Sequence, residues 1–210
     1  MVTKIVRCKK VLPILAIPFL VGVKCRKEDT RPCRNATYGF SVSGVFSPQR
    51  ENYAVGDTIY YHSSFPVKLW DPLYNREIDY SNSVGIGGTF NFLKIDSAKR
   101  EPNFSLQDFF VKSIVGEVTP HKDSTGIYYN YQAGVDSFKS TIAIKLLSKG
   151  VYYFAVGNLS SRGIRGQNCT NARFDMSIVN SNKNLHLFEN GMGQAADALL
   201  SPKIFCFRVR

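Results

Sequence analysis

The sequence predicts an all-β protein: an antiparallel β-sandwich of about ten strands, with one short helix near the C-terminus. Three observations carry that expectation. Apolar side chains recur at period two in segment after segment, and Gly, Pro, Asn or Asp interrupts them roughly every 8 to 12 residues. Aromatic residues reach 13% of the chain, with Tyr and Phe far outnumbering the single Trp, a composition that suits pleated, half-buried surfaces. No long stretch carries the 3.6-residue apolar period of an amphipathic helix.

The elements follow in chain order. Tyr38, Phe40, Val42 and Phe46 share one face of a first strand and Ser41, Ser43 and Val45 the other. A Gly56-Asp57 turn leads into a strand over 58–63, which Phe65-Pro66 closes. Pro66 and Pro72 then bracket Leu69-Trp70-Asp71 as a loop, because proline cannot donate to a sheet ladder. Further strands are expected over 76–80, 89–95, 110–118, 126–132 and 139–147, with Gly85-Ile86-Gly87-Gly88 read as a turn ahead of the second. The last of these alternates Ser140, Ile142, Ile144 and Leu146 against Lys139, Thr141, Ala143 and Lys145. Lys149-Gly150 makes a corner into a strand over 151–156, and strands over 173–179, 185–188 and 204–209 complete the set. Helical character is confined to 193–200. At 210 residues the chain suits one domain with a substantial core.

The first residues read differently. Residues 1–10 hold four cations and no acid, and 11–23 is an uncharged apolar run. That is the pattern of a secretory signal. Thirteen residues rising about 1.5 Å each fall well short of a hydrocarbon core of about 30 Å, and Pro13 and Pro18 weaken a helix further. The expected division is a signal over 1–24, an anchor and polar tether over 25–34, and a single sandwich domain over 35–210.

The formal charge of +11 invites a nucleic-acid reading. Five of the cations (Lys4, Arg7, Lys9, Lys10 and Lys24) lie in the signal, leaving 22 Lys and Arg against 16 Asp and Glu, a net +6. These are scattered along the chain rather than gathered on one arm or helix, so no nucleic-acid partner is expected.

The apolar run ends at Cys25, and a signal closing on cysteine resembles a bacterial lipoprotein precursor. The resemblance implies acyl chains, palmitate among them, on Cys25 and a lipid bilayer as the first partner. Two or three such chains, at about 0.8 kcal/mol per buried methylene, hold a domain at a membrane. Lys27, Glu28 and Asp29, directly after Arg26, resemble the export tag of Bacteroidetes lipoproteins that are flipped to the cell surface, which implies an outer-membrane, surface-exposed location. The same residues also read as a hydrophilic tether. From about Cys33 onward, the Val55-Gly-Asp-Thr-Ile59 turn, the corner over 146–154, Asn168-Cys169-Thr170, Asn184-Leu-His-Leu187 and Phe205-Cys-Phe-Arg-Val209 are similar to a family of uncharacterised Bacteroidetes surface-type lipoproteins. That likeness implies an immunoglobulin-like sandwich and lends no catalytic residue.

Of the five cysteines, Cys8 belongs to the signal and Cys25 to the anchor. Cys206 alternates with Phe205 and Phe207 and reads as a small buried hydrophobe. Cys33 and Cys169 each precede a strand, and a Cys33–Cys169 disulfide is expected in an oxidising compartment. It would close a loop of about 135 residues worth about 4 to 5 kcal/mol in the chain-entropy account. Three reduced thiols are the alternative.

Signals for chemistry are sparse. His62, His121 and His186 sit in no nucleophile elbow and show no ligand spacing with the cysteines, so no metal, cofactor or catalytic residue is assigned. The functional candidates are aromatics: Tyr60, Tyr129 and Tyr131, from strands that put rings on both faces, and Trp70. Such rings stack on sugars or form protein-binding patches. Asp57-Thr58-Ile59, Asp96-Ser97-Ala98 and Asp123-Ser124-Thr125 resemble Bacteroidetes O-glycan acceptors. The leading expectation is a binding or interaction module for a glycan or a protein partner. The alternatives are a hydrolase using carboxylates such as Asp71 and Glu77 in a concave pocket, or a structural component of the envelope.

Overall fold

The computed structural model describes residues 38–72, 75–197 and 200–210. Among these, the strands run β1 (Tyr38–Ser47), β2 (Asn52–Tyr53), β3 (Thr58–Pro66), β4 (Lys68–Asp71), β5 (Arg76–Asp79), β6 (Ile86–Asp96), β7 (Glu101–Phe104) and β8 (Phe109–Val115). They continue with β9 (Glu117–Pro120), β10 (Gly126–Asn130), β11 (Gln132–Ala133), β12 (Ser137–Leu146), β13 (Gly150–Val156), β14 (Leu159–Ser161), β15 (Ala172–Ile178) and β16 (Ile204–Val209). One α-helix, α1 (Leu185–Met192), precedes the last strand. Over the described residues the protein is an all-β sandwich with a single short α-helix.

The main path of the sheet is β11-β12-β3-β1-β15-β14-β6-β13-β16-β2, with β8 joined to β12 and β7, β9 and β10 attached through β6. A flat sheet with strands about 4.8 Å apart would hold β1 and β16 far from each other. Instead the Phe46 ring of β1 stacks on Phe205 of β16 at 4.6 Å between centroids, so the sheet folds onto itself. The three-residue β14 bridges the two layers, paired to β15 on one side and β6 on the other.

Period-two alternation builds the interior. Phe40, Val42 and Phe46 point inward from β1, Ile59, Tyr61 and Phe65 from β3, and Ile142, Ile144 and Leu146 from β12. Facing them are Phe90 and Phe92 of β6 and Phe154 of β13, with Phe154 within 5.2 to 5.6 Å of Phe46, Phe90 and Phe92. Rings meeting tilted or edge-on at such distances add to area burial.

A second apolar layer lies outside the β6–β13–β16 half. There α1 sets Leu187, Phe188 and Met192 on Leu93, Ile95, Tyr153, Ile204 and Cys206. Gly191 permits the contact, because a Cβ there would lie 2.5 Å from Ile95 Cγ2. The helix stops at Gly193, whose φ of 69° is a left-handed cap that L side chains avoid; its N–H donates to the Glu189 carbonyl at 2.8 Å.

Several expectations are corrected. Strands number more than ten among the described residues, and the sheet is mixed: β1 runs parallel to β15 from Tyr38↔Ala172 to Gly44↔Ile178, and β2 parallel to β16. Pairings that span so much chain leave no local mark. The segment 68–71 is a strand paired with β5, because Pro66 and Pro72 flank β4 and neither interrupts it. The strand expected over 110–118 breaks at Gly116, with φ of 85°, into β8 and β9, which have different partners. The helix covers residues expected as a strand and ends where the expected helix would begin. Alternation along one strand would send one of the adjacent rings Tyr152 and Tyr153 outward, yet both are buried, one in the sandwich and one beneath α1.

Candidate binding cleft

On the outer surface where β9, β10, β6 and β14 lie side by side, register fixes which side chains meet. Glu117 of β9 is opposite Asn130 of β10, which is opposite Gly87 of β6, which is opposite Ser160 of β14. One step along, Thr119, Tyr128 and Thr89 form a second row. Directly opposed residues share a face, so the two rows present a carboxylate, an amide, hydroxyls and one aromatic ring to a common surface. Tyr128 is 55% exposed, whereas its neighbour Tyr129 is fully buried.

Apart from Thr119, these rows line an open cleft of about 850 Å3, with Asn158 and Arg162 on the wall opposite β10. Its floor is shaped by glycine. A Cβ on Gly87 would sit 2.3 Å from Asn130 Oδ1 and 2.5 Å from the Tyr129 carbonyl, and one on Gly88 would sit 2.8 Å from Leu159 Cδ2. Of the run Gly85-Ile86-Gly87-Gly88 expected as a turn, only Gly85, with φ of 60°, lies outside the sheet; Ile86 to Gly88 start β6, where missing side chains let β10 and β14 close in.

The walls are braced. Asn158 donates from Nδ2 to Asp175 Oδ1 at 3.0 Å and accepts from the Met176 N–H at 3.1 Å. The His121 ring packs on Tyr128 at 4.1 Å between centroids, and His121 Nδ1 is 3.0 Å from Thr125 Oγ1. Asp123 accepts from both the Thr125 hydroxyl, at 2.8 Å, and its N–H, which holds its carboxyl below the usual carboxylate range. Among the described residues the cleft thus carries one anion, Glu117, and one cation, Arg162, with neutral polar groups between them.

The residues singled out from sequence fall in different places. Cys25, Lys27, Glu28, Asp29 and Cys33 lie outside the described residues. Cys169 is disulfide-bonded; the expected Cys33 pairing is neither met nor overturned. Cys206 is a free thiol at 1% exposure, and burial pushes its pKa up to about 12.

Trp70 is 57% exposed on β4 and Tyr60 39% exposed on β3; they belong to different sheets. Tyr129 and Tyr131, expected as outward binding rings, point inward. The Tyr131 hydroxyl donates to Ser63 Oγ at 2.8 Å, which donates to the Ser43 carbonyl at 2.7 Å, and Tyr129 Oη lies 3.5 Å from Tyr61 Oη. The missed residue is Tyr128, and parity could have found it: Tyr128, Asn130 and Gln132 form the polar set of that stretch, Ile127, Tyr129 and Tyr131 the apolar one.

The proposed carboxylate pair does not converge. Asp71 is buried beside Leu69 on the inner face of the β4–β5 hairpin. Glu77 is opposite Trp70 on the outer face, 3.8 Å from the Lys68 ammonium. Asp96 and Asp123, within the glycan-acceptor motifs, accept backbone N–H groups of Ala98 and Thr125 in turns. Among the described residues no three His, Cys, Asp or Glu side chains gather as a metal site, and no helix is long and apolar enough to cross a membrane.

No protein-family model matches the chain, nor does any curated protein. Among solved structures, a type II cohesin domain from the cellulosome of Acetivibrio cellulolyticus is similar with a TM-score of 0.32 at 7% identity, over 66% of this chain and 91% of that one. A protein described as catalysing macrocyclization in alchivemycin A biosynthesis gives 0.31 at 8% identity, over 65% and 88%. The C-terminal domain of the Streptococcus pyogenes antigen I/II-family protein AspA gives 0.29 at 12% identity, over 65% and 46%. Superpositions this loose bear on neither function nor site.

Proposed function

We propose that this chain is a lipid-anchored binding module of the cell envelope, exported to the outer surface, whose cleft between β10 and β14 seats a saccharide. The observation that carries the binding half is the outward Tyr128 ring set beside a glycine-floored row of amides and hydroxyls. A sugar offers an apolar C–H face and a rim of hydroxyls, and a ring next to amide donors and acceptors complements both. The volume lies within the range of about 300 to 1,000 Å3 usual for small-ligand sites.

The test is a glycan-binding panel on the purified chain, followed by titration of the tightest ligand. Tyr128→Ala is expected to weaken binding about tenfold, the equivalent of about 1.4 kcal/mol, while Tyr128→Phe retains most of it because the ring persists. Uniform failure to bind, or an unchanged affinity in Tyr128→Ala, would remove the saccharide reading.

The anchoring half rests on the charged-then-apolar leader ending at Cys25, with Lys27, Glu28 and Asp29 directing surface display. Mass spectrometry of the N-terminus of protein taken from its native membrane is expected to show Cys25 as the first residue, carrying acyl chains. A mature chain that retains Met1, or an unacylated Cys25, would refute it.

A further inference from the structure

Apart from the cleft, one edge of the sheet is left open. β8 pairs with β12 along one side, Phe109↔Leu146 through Val115↔Thr141, and with no strand along the other among the described residues. An unpaired edge is a template for another strand, and proteins usually blunt it with brevity, charge or proline. Other edges here are blunted in those ways: β2 and β11 are two residues long, β7 carries Pro102, β9 carries Pro120, and β5 is Arg-Glu-Ile-Asp. β8 is longer, seven residues of Phe-Phe-Val-Lys-Ser-Ile-Val without proline; Lys112 is its one charge, and its register against β12 shifts between Thr141 and Ile142.

Its outward side chains are large and apolar at both ends and basic in the middle. Phe110 is 59% and Ile114 54% exposed, with Lys112 between them on the same face. The surface continues across the ladder, since Lys145 is opposite Phe110 and Ala143 is opposite both Lys112 and Tyr60. The outward positions of β8 and β12 hold Lys112, Lys139 and Lys145 and no acid. Asp108, just ahead of β8, is already engaged by Lys94 at 3.7 Å and by the Tyr152 hydroxyl at 3.0 Å.

We propose that β8 is a docking edge that takes an extended segment of an acidic, apolar partner chain by strand addition. Main-chain bonds supply attachment and the outward residues supply selection. In the antiparallel register, an Asp or Glu of the partner lies opposite Lys112, and apolar residues two positions to either side lie opposite Phe110 and Ile114. A second copy of this chain is a poorer occupant, because pairing β8 with itself over its full length sets Lys112 against Lys112, and like charges directly opposed are destabilising.

The test uses the full chain and two synthetic nonapeptides of alternating Val and Ser with Glu or Lys at the centre, read by fluorescence anisotropy. The Glu peptide is expected to bind about tenfold more tightly than the Lys peptide, as converts from opposed charge pairs. Lys112→Glu, an exposed change that thermal unfolding should show to leave the fold intact, is expected to reverse the preference. Absence of binding by both peptides, or an order that Lys112→Glu leaves unchanged, would overturn the proposal. Concentration-dependent dimerisation abolished by Ile114→Asp would overturn it in favour of a second copy.

Discussion

Replacing Phe46 by alanine is expected to lower the unfolding free energy by about 4 kcal/mol, within the range of roughly 3 to 5 kcal/mol for deleting a buried phenylalanine ring. Phe46 is fully buried and is the ring through which the two layers meet. Its centroid lies 4.6 Å from Phe205, 5.3 Å from Tyr61, 5.6 Å from Phe154 and 5.8 Å from Phe90. Those neighbours belong to four other strands, so no single shift closes the hole. Denaturant unfolding would measure the loss. Phe110→Ala is the control: its ring is 59% exposed, and the cost should stay within about 0.5 kcal/mol. Equal costs at the two positions would mean that the layers do not close around Phe46.

The second large effect is alkaline unfolding. Burial raises the phenol pKa of Tyr53, Tyr61, Tyr80, Tyr129, Tyr131, Tyr152 and Tyr153, that of Tyr153 to about 12. In the unfolded chain a phenol titrates near pH 10. Stability from these groups is therefore fully present below about pH 10, where both states hold the proton, and is lost as pH rises toward the folded values, because the unfolded chain releases protons that the native one keeps. By about pH 11 each group whose native phenol remains protonated removes about 1.4 kcal/mol. Several together rival the whole stability of a domain, about 5 to 15 kcal/mol. A pH titration is expected to show these phenolates appearing in one cooperative step that coincides with loss of far-ultraviolet circular dichroism. Ionisation of the seven while the sheet signal persists would contradict the buried positions.

Much of the sandwich was legible because most strands bury one face only. β1, β3, β12 and β15 each alternate inward apolar with outward polar residues, and their positions follow from that pattern. β16 is the counter-example: covered by Phe46 and its neighbours on one side and by α1 on the other, it reads Ile-Phe-Cys-Phe without alternation. α1 itself was misread because Leu185-His186-Leu187 happens to alternate, while the face it buries, Leu187, Phe188, Gly191 and Met192, includes a glycine that carries no apolar signal. Parallel pairing of β1 with β15 was invisible, since it depends on where the chain returns and on no residue within either strand.

The cleft was half legible. Tyr128, Asn130 and Gln132 share parity and separate cleanly from Tyr129 and Tyr131, so the outward face of β10 could have been read. What Gly87 does could not. Glycine next to glycine in sequence signals a turn as readily as a strand, and only the 2.5 Å that a Cβ would leave to the Tyr129 backbone carbonyl shows that close packing of β10 on β6 demands it.

The most direct test of the binding account is a map of where the ligand sits. Amide chemical shifts of the isotope-labelled chain would be followed as the tightest saccharide of the panel is added. The expected result is perturbation centred on Tyr128, Asn130, Gly87 and Ser160, with β8 and the β4–β5 hairpin unchanged. Shifts gathered instead around Trp70 or Tyr60, with the cleft silent, would contradict it.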